Sequence, residues 1–464
     1  MANKYRTLFK WINVLTDYFL LNFCLFIALL VNDLYPASGD LPEYYKVNFL
    51  LLNLFWAYCS KIVGQYNNVI YRDAGPTMLD TLYVLLLYFC AAFGLGMLFP
   101  RFSFPFEFTL HSVALLSFLI MFWKFNFLVI RRSKRRFWMD FTKVVIVGAG
   151  PVGMKMADYI SSNPQLGYKV EGFFDNNAAP AKDGYSILGK VEECMAYVSA
   201  AGIREMYCAL PNKDLKTIKS LMQLADKHMV RFRMLPDMNE LLAQNILSSA
   251  DYRLPVLSPR VEPLENKANE LLKRIFDISF SLLILVFVLS WVIPLVGLII
   301  KLDSKGPVFF KQLRSGKNNQ PFYCFKFRSM AVNADSDNKQ ATKGDMRVTK
   351  VGAFLRKSSI DELPQFINVL LGDMSVVGPR PHMLKHTEDY SGEIENYMVR
   401  HFLTPGITGW AQVNGYRGET KETESMAKRV EADIWYLENW SLLLDIKIVF
   451  LTVWQAIRGS ENAY

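Results

Sequence analysis

Four long apolar runs in the first third of the chain constrain the fold more than any other feature. Each approaches the ~20 residues that a helix needs to cross a bilayer, and the runs cover residues 8–31, 47–63, 79–99 and 110–130. Asp17 and Lys124 interrupt the first and the fourth run. One buried helix of a soluble protein can look like this, but four in succession predict a membrane domain.

Basic residues at the two ends of this predicted bundle set its orientation. Lys4 and Arg6 precede the first run, Lys10 lies at its start, and the cluster Arg131–Arg136 follows the fourth, whereas the loops after the first and third runs are acidic or nearly neutral. Lysine and arginine are retained on the cytoplasmic side of a membrane, so both ends are predicted to face the cytoplasm. The six cysteines are scattered, without a Cys-x-x-Cys pair, and are predicted to be reduced.

A fifth apolar run, residues 278–300, lies far downstream. Basic residues flank it on both sides, and Pro294 falls inside it, where a proline removes a helix hydrogen bond and forces a kink. A re-entrant helix that dips into one leaflet and returns accounts for both features. An ordinary kinked span is the alternative.

A glycine motif marks the middle of the chain. An apolar strand, residues 143–147, runs into G-x-G-x-x-G at Gly148, Gly150 and Gly153, and a second strand, residues 168–174, ends at Asp175. This context predicts a Rossmann-like α/β domain in which the glycines and Asp175 form a candidate nucleotide loop. No Tyr-x-x-x-Lys pair accompanies the motif, so a regulatory or scaffolding role is favoured, with nucleotide binding left open.

The last third concentrates cations around one pair of adjacent acids, Asp361 and Glu362. Pro364 follows them, and proline is tolerated in the first turn of a helix, so a helix is predicted to begin near Asp361 with its N-terminus facing the site. Carboxylates among arginines are typical of phosphoryl transfer, which needs a nucleophile, positive charge and a divalent metal. The candidate phosphate-binding cations are Lys326, Arg328, Arg347, Arg356, Arg380 and Arg417.

These residues alone leave other interpretations open. Ser359 and Glu362 match a capping box, in which acids stabilise a helix start without any chemistry, and several arginines could form a solvated or lipid-facing surface. The net charge of +9 suits an anionic membrane, a nucleotide or a polyphosphate equally. No basic motif interleaved with aromatic residues is present, so nucleic acid is not an expected partner.

Several long motifs of the last third resemble the polyprenyl-phosphate glycosyl-1-phosphate transferases, which start exopolysaccharide or O-antigen repeat units in bacteria. The resemblance runs from about residue 264 to the C-terminus, and the layout of the whole chain is most similar to the undecaprenyl-phosphate glucose phosphotransferases. The motifs that carry it are Lys326-Phe-Arg-Ser-Met, Asp361-Glu, Gly378-Pro-Arg-Pro and Val413-Asn-Gly-Tyr-Arg-Gly.

The resemblance implies a ping-pong reaction with Asp361 as the nucleophile. An aspartate attacks the sugar-bearing phosphate of a UDP-sugar, releases UMP, and holds the phosphosugar until undecaprenyl phosphate accepts it. Glu362 is implied to associate with Mg²⁺, and Lys326, Arg356, Arg380 and Arg417 to bind phosphates and nucleotide. Glucose is the expected sugar.

The implied architecture is a membrane protein of α and α/β type in the bacterial inner membrane. Four transmembrane helices (residues 1–136) precede a Rossmann-like α/β domain (137–262) and a re-entrant membrane helix with a mixed α/β catalytic domain (263–464). UDP-sugar, undecaprenyl phosphate and membrane lipids are the expected partners, and a homo-oligomer is left open. The competing interpretations are a membrane-bound nucleotide-sugar dehydratase and a non-enzymatic scaffold for polysaccharide assembly.

Overall fold

The computed structural model describes residues 6–34, 43–67, 69, 72, 74–99, 104–133, 141–163, 167–176, 184–211, 214–236, 256–331, 345–416 and 423–458. Its first part is a bundle in which α1 packs against α4 and α2 against α3. Large apolar side chains such as Leu21, Trp56, Tyr88 and Phe108 form the core of the bundle. The four helices are α1 (Arg6–Val31), α2 (Glu43–Val63), α3 (Ala74–Leu98) and α4 (Phe106–Ser133).

The two charges that interrupt the apolar runs bind each other. Lys124 Nζ lies 2.7 Å from Asp17 Oδ2, and both side chains are buried. Tyr66 donates a hydrogen bond to the same carboxylate, and Asn13 accepts one from Lys124. Each charge is therefore neutralised inside the bundle, as intramembrane charges need to be.

Among the described residues, four helices are long and apolar enough to cross a membrane, but they differ in part from the four predicted. They are Leu8–Val31, Ala74–Leu98, Phe106–Ile130 and the downstream helix Lys267–Asp303. Helix α2 packs in the bundle as predicted, yet it is less apolar, because it carries Asn48 and Asn53 besides its charged ends. Asn53 exchanges hydrogen bonds with Asn22 of α1, so part of this polarity is used between helices.

The middle domain is a five-stranded parallel sheet with helices, as predicted for a Rossmann-like fold. The strand order is β3-β2-β1-β4-β5, which matches the first five strands of the six-stranded dinucleotide-binding sheet. Its strands are β1 (Thr142–Val147), β2 (Tyr168–Phe174), β3 (Ile187–Gly189), β4 (Glu205–Cys208) and β5 (Arg231–Met234), and its helices are α5 (Pro151–Ser162), α6 (Cys194–Ala200) and α7 (Leu215–Lys227).

The three glycines of the G-x-G-x-x-G motif have different surroundings. Gly148 has a φ of +102°, a backbone angle that residues with a side chain rarely adopt. A Cβ on Gly153 would lie 2.1 Å from the carbonyl oxygen of Gly148. A Cβ on Gly150 would meet no atom within 4 Å. The first and third glycines are thus required by the turn itself, whereas the second leaves an open space.

This contrast gives a matched pair of substitutions in one motif. We expect Gly153→Ala to destabilise the chain by about 1–3 kcal/mol, because the new methyl group overlaps backbone that has to shift. Gly150→Ala is expected to be neutral, since the backbone there is extended (φ −72°) and the space is open. Thermal unfolding of the two purified variants checks this, and equal midpoints would contradict it.

The last part of the chain combines helices with short sheets. An antiparallel hairpin joins β6 (Phe309–Ser315) to β7 (Pro321–Phe327), and β8 (Ser375–Val377) pairs in parallel with β9 (Gly406–Thr408). The helices are α8 (Lys267–Ile284), α9 (Ser290–Asp303), α10 (Lys350–Lys357), α11 (Gln365–Leu371), α12 (Leu384–Glu393), α13 (Trp410–Val413), α14 (Thr423–Asn439) and α15 (Leu442–Arg458).

Helix α8 is fixed to this domain by three polar residues of its first half. Lys273 Nζ binds the buried carboxylate of Asp445 at 2.7 Å and the carbonyl oxygen of Val377 at 3.0 Å. Arg274 donates to carbonyls at the C-terminal end of α11, and Asp277 accepts from β8. These side chains anchor the helix before its apolar part begins.

The apolar part of this long helix is irregular. A π-helical segment, Leu285–Leu289, joins α8 to α9, and Pro294 lies inside α9. A proline removes one helical hydrogen bond, and π segments mark irregular points of helices. The side chains of Ser290 and Trp291 donate to the carbonyl oxygens of Val286 and Phe287 just before the proline.

Candidate active site

Short elements from separate parts of the last domain bring the predicted acids and three predicted cations together. Lys326 lies on β7, Arg356 in the last turn of α10, and Arg380 three residues after β8. Asp361 and Glu362 lie on a 3-10 turn, Ile360–Glu362, between α10 and α11. The site is therefore built by tertiary packing of the hairpin and two helices.

The local backbone around the acids differs from the predicted helix start. Ser359 has a left-handed φ of 58° and forms no side-chain cap, so the capping box is not present. The 3-10 turn ends at Glu362, Pro364 occupies the N-cap, and α11 begins only at Gln365. Helical structure thus begins beside Asp361 as predicted, but its first turn is 3-10 and the α-helix follows at Gln365.

Glu362 is held between two cations. Its Oε1 lies 2.7 Å from Lys326 Nζ and 2.7 Å from Arg380 Nη2, and its Oε2 lies 3.2 Å from Arg380 Nη1. Burial opposes ionisation, but Arg380 and Lys326 outweigh it and hold the pKa of the Glu362 carboxyl well below its usual range. Glu362 is therefore an ionised anchor that fixes both cations beside Asp361.

Asp361 is not clamped in this way. Its side chain is buried, and within the described part of the chain no group donates a hydrogen bond to its carboxylate. Burial raises the pKa of the Asp361 carboxyl to about 6, and neighbouring Glu362 acts in the same direction. Lys326, Arg356 and Arg380 oppose this change without cancelling it. The result is a poorly solvated carboxylate with free lone pairs, which suits a nucleophile.

Two of the remaining predicted cations, Arg328 and Arg347, bind other groups. Arg328 donates to the carbonyl oxygens of Ile300, Ser304 and Lys305, so its guanidinium closes the end of α9. Arg347 forms an ion pair with both carboxylate oxygens of Asp345. Arg417 lies outside the described residues. The structure thus brings Lys326, Arg356 and Arg380 to the acids and engages Arg328 elsewhere.

A buried cluster behind Arg380 was not found from the sequence. Arg400 donates to the carbonyl oxygen of Arg380 at 2.8 Å and pairs with Asp433 at 2.8 Å, with both side chains buried. Burial, Arg400 and Arg380 together lower the pKa of Arg429 to about 10. These residues hold the Gly-Pro-Arg-Pro loop in place. Isolated charged residues usually predict a solvated surface, so the sequence carried no signal for them.

The donor set allows a divalent metal at Glu362. A carboxylate offers about four lone-pair positions, and the three contacts from Lys326 and Arg380 leave one on Oε2. Mg²⁺ usually takes only one or two carboxylates and completes its shell with water and substrate phosphates. Within the described residues no group of three or more acidic, histidine or cysteine side chains could hold a metal alone. The site fits a metal that arrives with a phosphate substrate.

The predicted nucleotide loop of the middle domain is present but partly closed on itself. Asp175 follows β2 as predicted, and its Oδ2 accepts a hydrogen bond from the backbone N–H of Ala149 at 2.7 Å. The carboxylate therefore braces the glycine loop. The open space at Gly150 is the position where a ligand could approach.

The fold and this site define a membrane protein that carries a carboxylate–cation site typical of phosphoryl transfer. Residues 268–459 match the bacterial sugar transferase family, and residues 64–236 match a CoA-binding domain family. The chain belongs to the bacterial sugar transferase family, and it is a transferase. This membership decides against the dehydratase and the non-enzymatic scaffold.

Named relatives support this assignment. A UDP-glucose:undecaprenyl-phosphate glucose-1-phosphate transferase of Xanthomonas campestris is 38% identical, over 70% of this chain and 68% of that protein. The protein of the same name from Escherichia coli is 43% identical, over 67% of both chains. A UDP-N-acetylgalactosamine-undecaprenyl-phosphate N-acetylgalactosaminephosphotransferase of Aeromonas hydrophila is 48% identical, over 35% of this chain and 38% of that protein.

Proposed function

We propose that this chain transfers glucose 1-phosphate from UDP-glucose to undecaprenyl phosphate, releases UMP, and forms a covalent phosphosugar on Asp361. The names of the Xanthomonas and Escherichia relatives support the substrates. The observation that carries the covalent step is the buried Asp361 carboxylate, which has a pKa of about 6 and no hydrogen-bond donor among the described residues. The product would start a repeat unit of an exopolysaccharide, capsule or O-antigen.

The reaction balances in two displacements at one phosphorus atom. First, a carboxylate oxygen of Asp361 attacks the sugar-bearing phosphorus, and the bond to the bridging oxygen breaks so that UMP leaves with that oxygen. Then an oxygen of undecaprenyl phosphate attacks the same phosphorus, and the bond to Asp361 breaks. The carboxylate is regenerated, and the lipid carries a diphosphate-linked glucose.

The cations stabilise the negative charge that passes from Asp361 through the phosphate to the departing UMP. Lys326 and Arg380 are fixed by Glu362, so they are preorganised next to the attacking oxygen, which is the usual source of electrostatic catalysis. Arg380 keeps 32% of its side chain exposed and can still donate to a phosphate. Arg356 acts on Asp361 through its charge. For Arg417, which lies outside the described residues, phosphate binding stays a prediction.

Mg²⁺ is proposed to bind the free position on Glu362 together with the substrate diphosphate. When bound, it would supply positive charge to the phosphate oxygens and favour departure of UMP. The chain's own residues set the geometry: Glu362 orients Lys326 and Arg380, and the 3-10 turn presents Asp361.

The raised pKa of Asp361 predicts that the rate of transfer falls at acidic pH. Protonation removes the lone pair that attacks, so we expect transfer to fall as pH drops through about 6, the pKa of Asp361. Glu362 does not contribute to this fall, because its pKa lies well below the usual range. Initial rates of UMP release at a series of pH values check this. A rate unchanged down to the ordinary pKa of an aspartate would contradict the proposed environment.

The long helix Lys267–Asp303 is proposed to be re-entrant from the cytoplasmic face of the inner membrane. Its first half binds β8 and α15 through Lys273 and Asp277, and its last turn binds Arg328 through the carbonyl of Ile300. Both ends thus contact one soluble domain, whereas a spanning helix separates its ends by ~30 Å of hydrocarbon. The irregular stretch from Leu285 to Pro294 supplies the bend.

Labelling from one side of the membrane tests this topology. Single cysteines at Lys267 and at Lys305, placed in a chain without its other cysteines, are expected to react only with an impermeant reagent on the cytoplasmic side. Reaction of the two positions from opposite sides would contradict a re-entrant helix.

The sugar and the lipid are tested by UMP release. Membranes that contain the protein are supplied with Mg²⁺, undecaprenyl phosphate and one UDP-sugar at a time. We expect turnover with UDP-glucose that depends on the lipid. Turnover with UDP-N-acetylgalactosamine alone, the sugar in the name of the Aeromonas relative, would reassign the donor. Absence of UMP release with every UDP-sugar would overturn the proposed reaction.

A further inference from the structure

A cavity separate from the acids lies where the three parts of the chain meet. Its volume is about 770 Å³, and its wall includes Leu8 of α1, Arg204 of the middle domain, and Lys267 and Arg274 of α8. Leu8 begins the first apolar helix and Lys267 begins the downstream one, so the cavity lies at the level where both helices leave the membrane. Its size is in the range of ligand pockets.

The wall of the cavity carries six cations and four carboxylates. Most of these charges are already compensated. Asp277 accepts from Ser375 and from the N–H of Val376, and Glu265 binds Arg233 behind the wall. The ion pairs of the wall cations are Arg231–Glu262, Lys267–Glu270, Lys317–Glu270 and Lys273–Asp445.

Two arginines of the wall have no carboxylate partner among the described residues. Arg274 donates to the carbonyl oxygens of Val369 and Leu370, which compensates its hydrogen bonds but not its charge. The side chain of Arg204 forms no ion pair or hydrogen bond to any described residue. The wall therefore keeps an excess of two positive charges, with one planar donor group free to bind a phosphate in two-pronged fashion.

The wall of the cavity also carries apolar side chains. Leu8, Leu264, Leu271 and Phe402 line it. Leu271 is 47% exposed and neighbours the exposed Leu272 and Ile275 on α8. A molecule that fills this space would contact both cations and apolar side chains. A soluble anion gains nothing from the apolar side chains, whereas a phospholipid satisfies both.

We propose that this cavity binds the phosphate headgroup of an anionic glycerophospholipid, with Arg204 as a direct phosphate ligand. The lipid would link the membrane helix α1, the middle domain and α8 at one point. Basic pockets at the cytoplasmic ends of membrane helices are suited to such headgroups. This site is distinct from Asp361, and the proposal does not depend on the transfer reaction.

Thermal unfolding of the full chain in a neutral detergent, titrated with phosphatidylglycerol or phosphatidylcholine, tests this site. A ligand that binds the folded state raises the unfolding midpoint with concentration. We expect phosphatidylglycerol to raise the midpoint and phosphatidylcholine to leave it unchanged. For Arg204→Gln the same rise should need about tenfold more phosphatidylglycerol, the loss of one charge-assisted contact. Lys219→Gln, on the exposed face of α7, should behave as wild type.

Each other outcome overturns the proposal. Equal effects of the two lipids would contradict the headgroup preference. A wild-type response of Arg204→Gln would show that Arg204 does not bind the phosphate. An equal loss in Lys219→Gln would indicate non-specific charge attraction. A rise with inorganic phosphate alone would assign the cavity to a soluble anion. A rise with undecaprenyl phosphate but not with phosphatidylglycerol would assign it to the acceptor lipid.

Discussion

Asp361→Asn is expected to abolish transfer and, at neutral pH, to make the folded chain more stable. The amide cannot attack phosphorus, and loss of a nucleophile lowers rates by more than about 10³-fold. The stability follows from the pKa of Asp361, which folding raises from 3.8 to about 6. Since a tenfold change in proton affinity is worth about 1.4 kcal/mol, the folded state holds the charged form at a disadvantage of roughly 3 kcal/mol. The neutral amide removes that disadvantage.

The pH dependence of this gain makes the prediction specific. Because folding raises the pKa of Asp361, the folded state binds the proton more tightly, and the wild-type stability falls as pH rises from about 4 to about 6. The advantage of Asp361→Asn should therefore be present at neutral pH and vanish below pH ~4. Thermal unfolding at several pH values measures it. Asp389→Asn, an exposed acid of α12, is the control and should change neither activity nor stability.

A less stable or still active Asp361→Asn would contradict the proposed role. Lower stability at neutral pH would mean that Lys326, Arg356 and Arg380 stabilise the carboxylate more than burial opposes it. Residual transfer would mean that another group attacks the phosphorus. The two outcomes can be distinguished from each other, because stability is measured without substrate and transfer is measured with it.

Lys273→Met is expected to destabilise the chain by about 3–5 kcal/mol. The ammonium group neutralises Asp445, which is fully buried and also accepts from Tyr436 and Trp440. Removing one partner of a buried pair leaves an uncompensated charge, whereas removing both is far less damaging. The double variant Lys273→Met, Asp445→Leu should recover part of the loss. Thermal or denaturant unfolding of the two variants measures the coupling.

A second lysine of the same helix is the matched control. Lys267 pairs with Glu270, but both side chains keep more than a third of their surface exposed. Such pairs contribute at most about 1 kcal/mol, so Lys267→Met should be nearly neutral. Equal losses in Lys267→Met and Lys273→Met would mean that the anchor of α8 is not the buried pair.

Local patterns predicted most of the elements, because they depend on neighbouring residues. The second strand of the middle domain was predicted as 168–174, with Asp175 at its end, and is Tyr168–Phe174. The glycine spacing likewise predicted the parallel sheet. The last third was predicted mainly through its resemblance to a family, and that family is confirmed.

Features that depend on tertiary contacts were not predictable in this way. Asp17 and Lys124 looked like faults in two apolar runs, but helix packing places them 2.7 Å apart. Arg328 stands in the same motif as Lys326, yet the hairpin directs it to the end of α9. The helix near Asp361 begins with a 3-10 turn after the left-handed Ser359, and proline spacing reveals neither feature. In each case the observed position depends on a partner distant in sequence or on one unusual backbone angle.

Incubation of the purified chain with UDP-glucose and Mg²⁺, without any acceptor lipid, tests the covalent step most directly. Intact mass and peptide mapping would follow the protein, and UMP would be measured in the same sample. We expect one UMP per chain and one glucose phosphate joined through an acyl-phosphate bond to the peptide that contains Asp361, and this adduct should disappear when undecaprenyl phosphate is added. UMP release that begins only with the lipid, with no adduct on the protein, would contradict the account and indicate direct transfer.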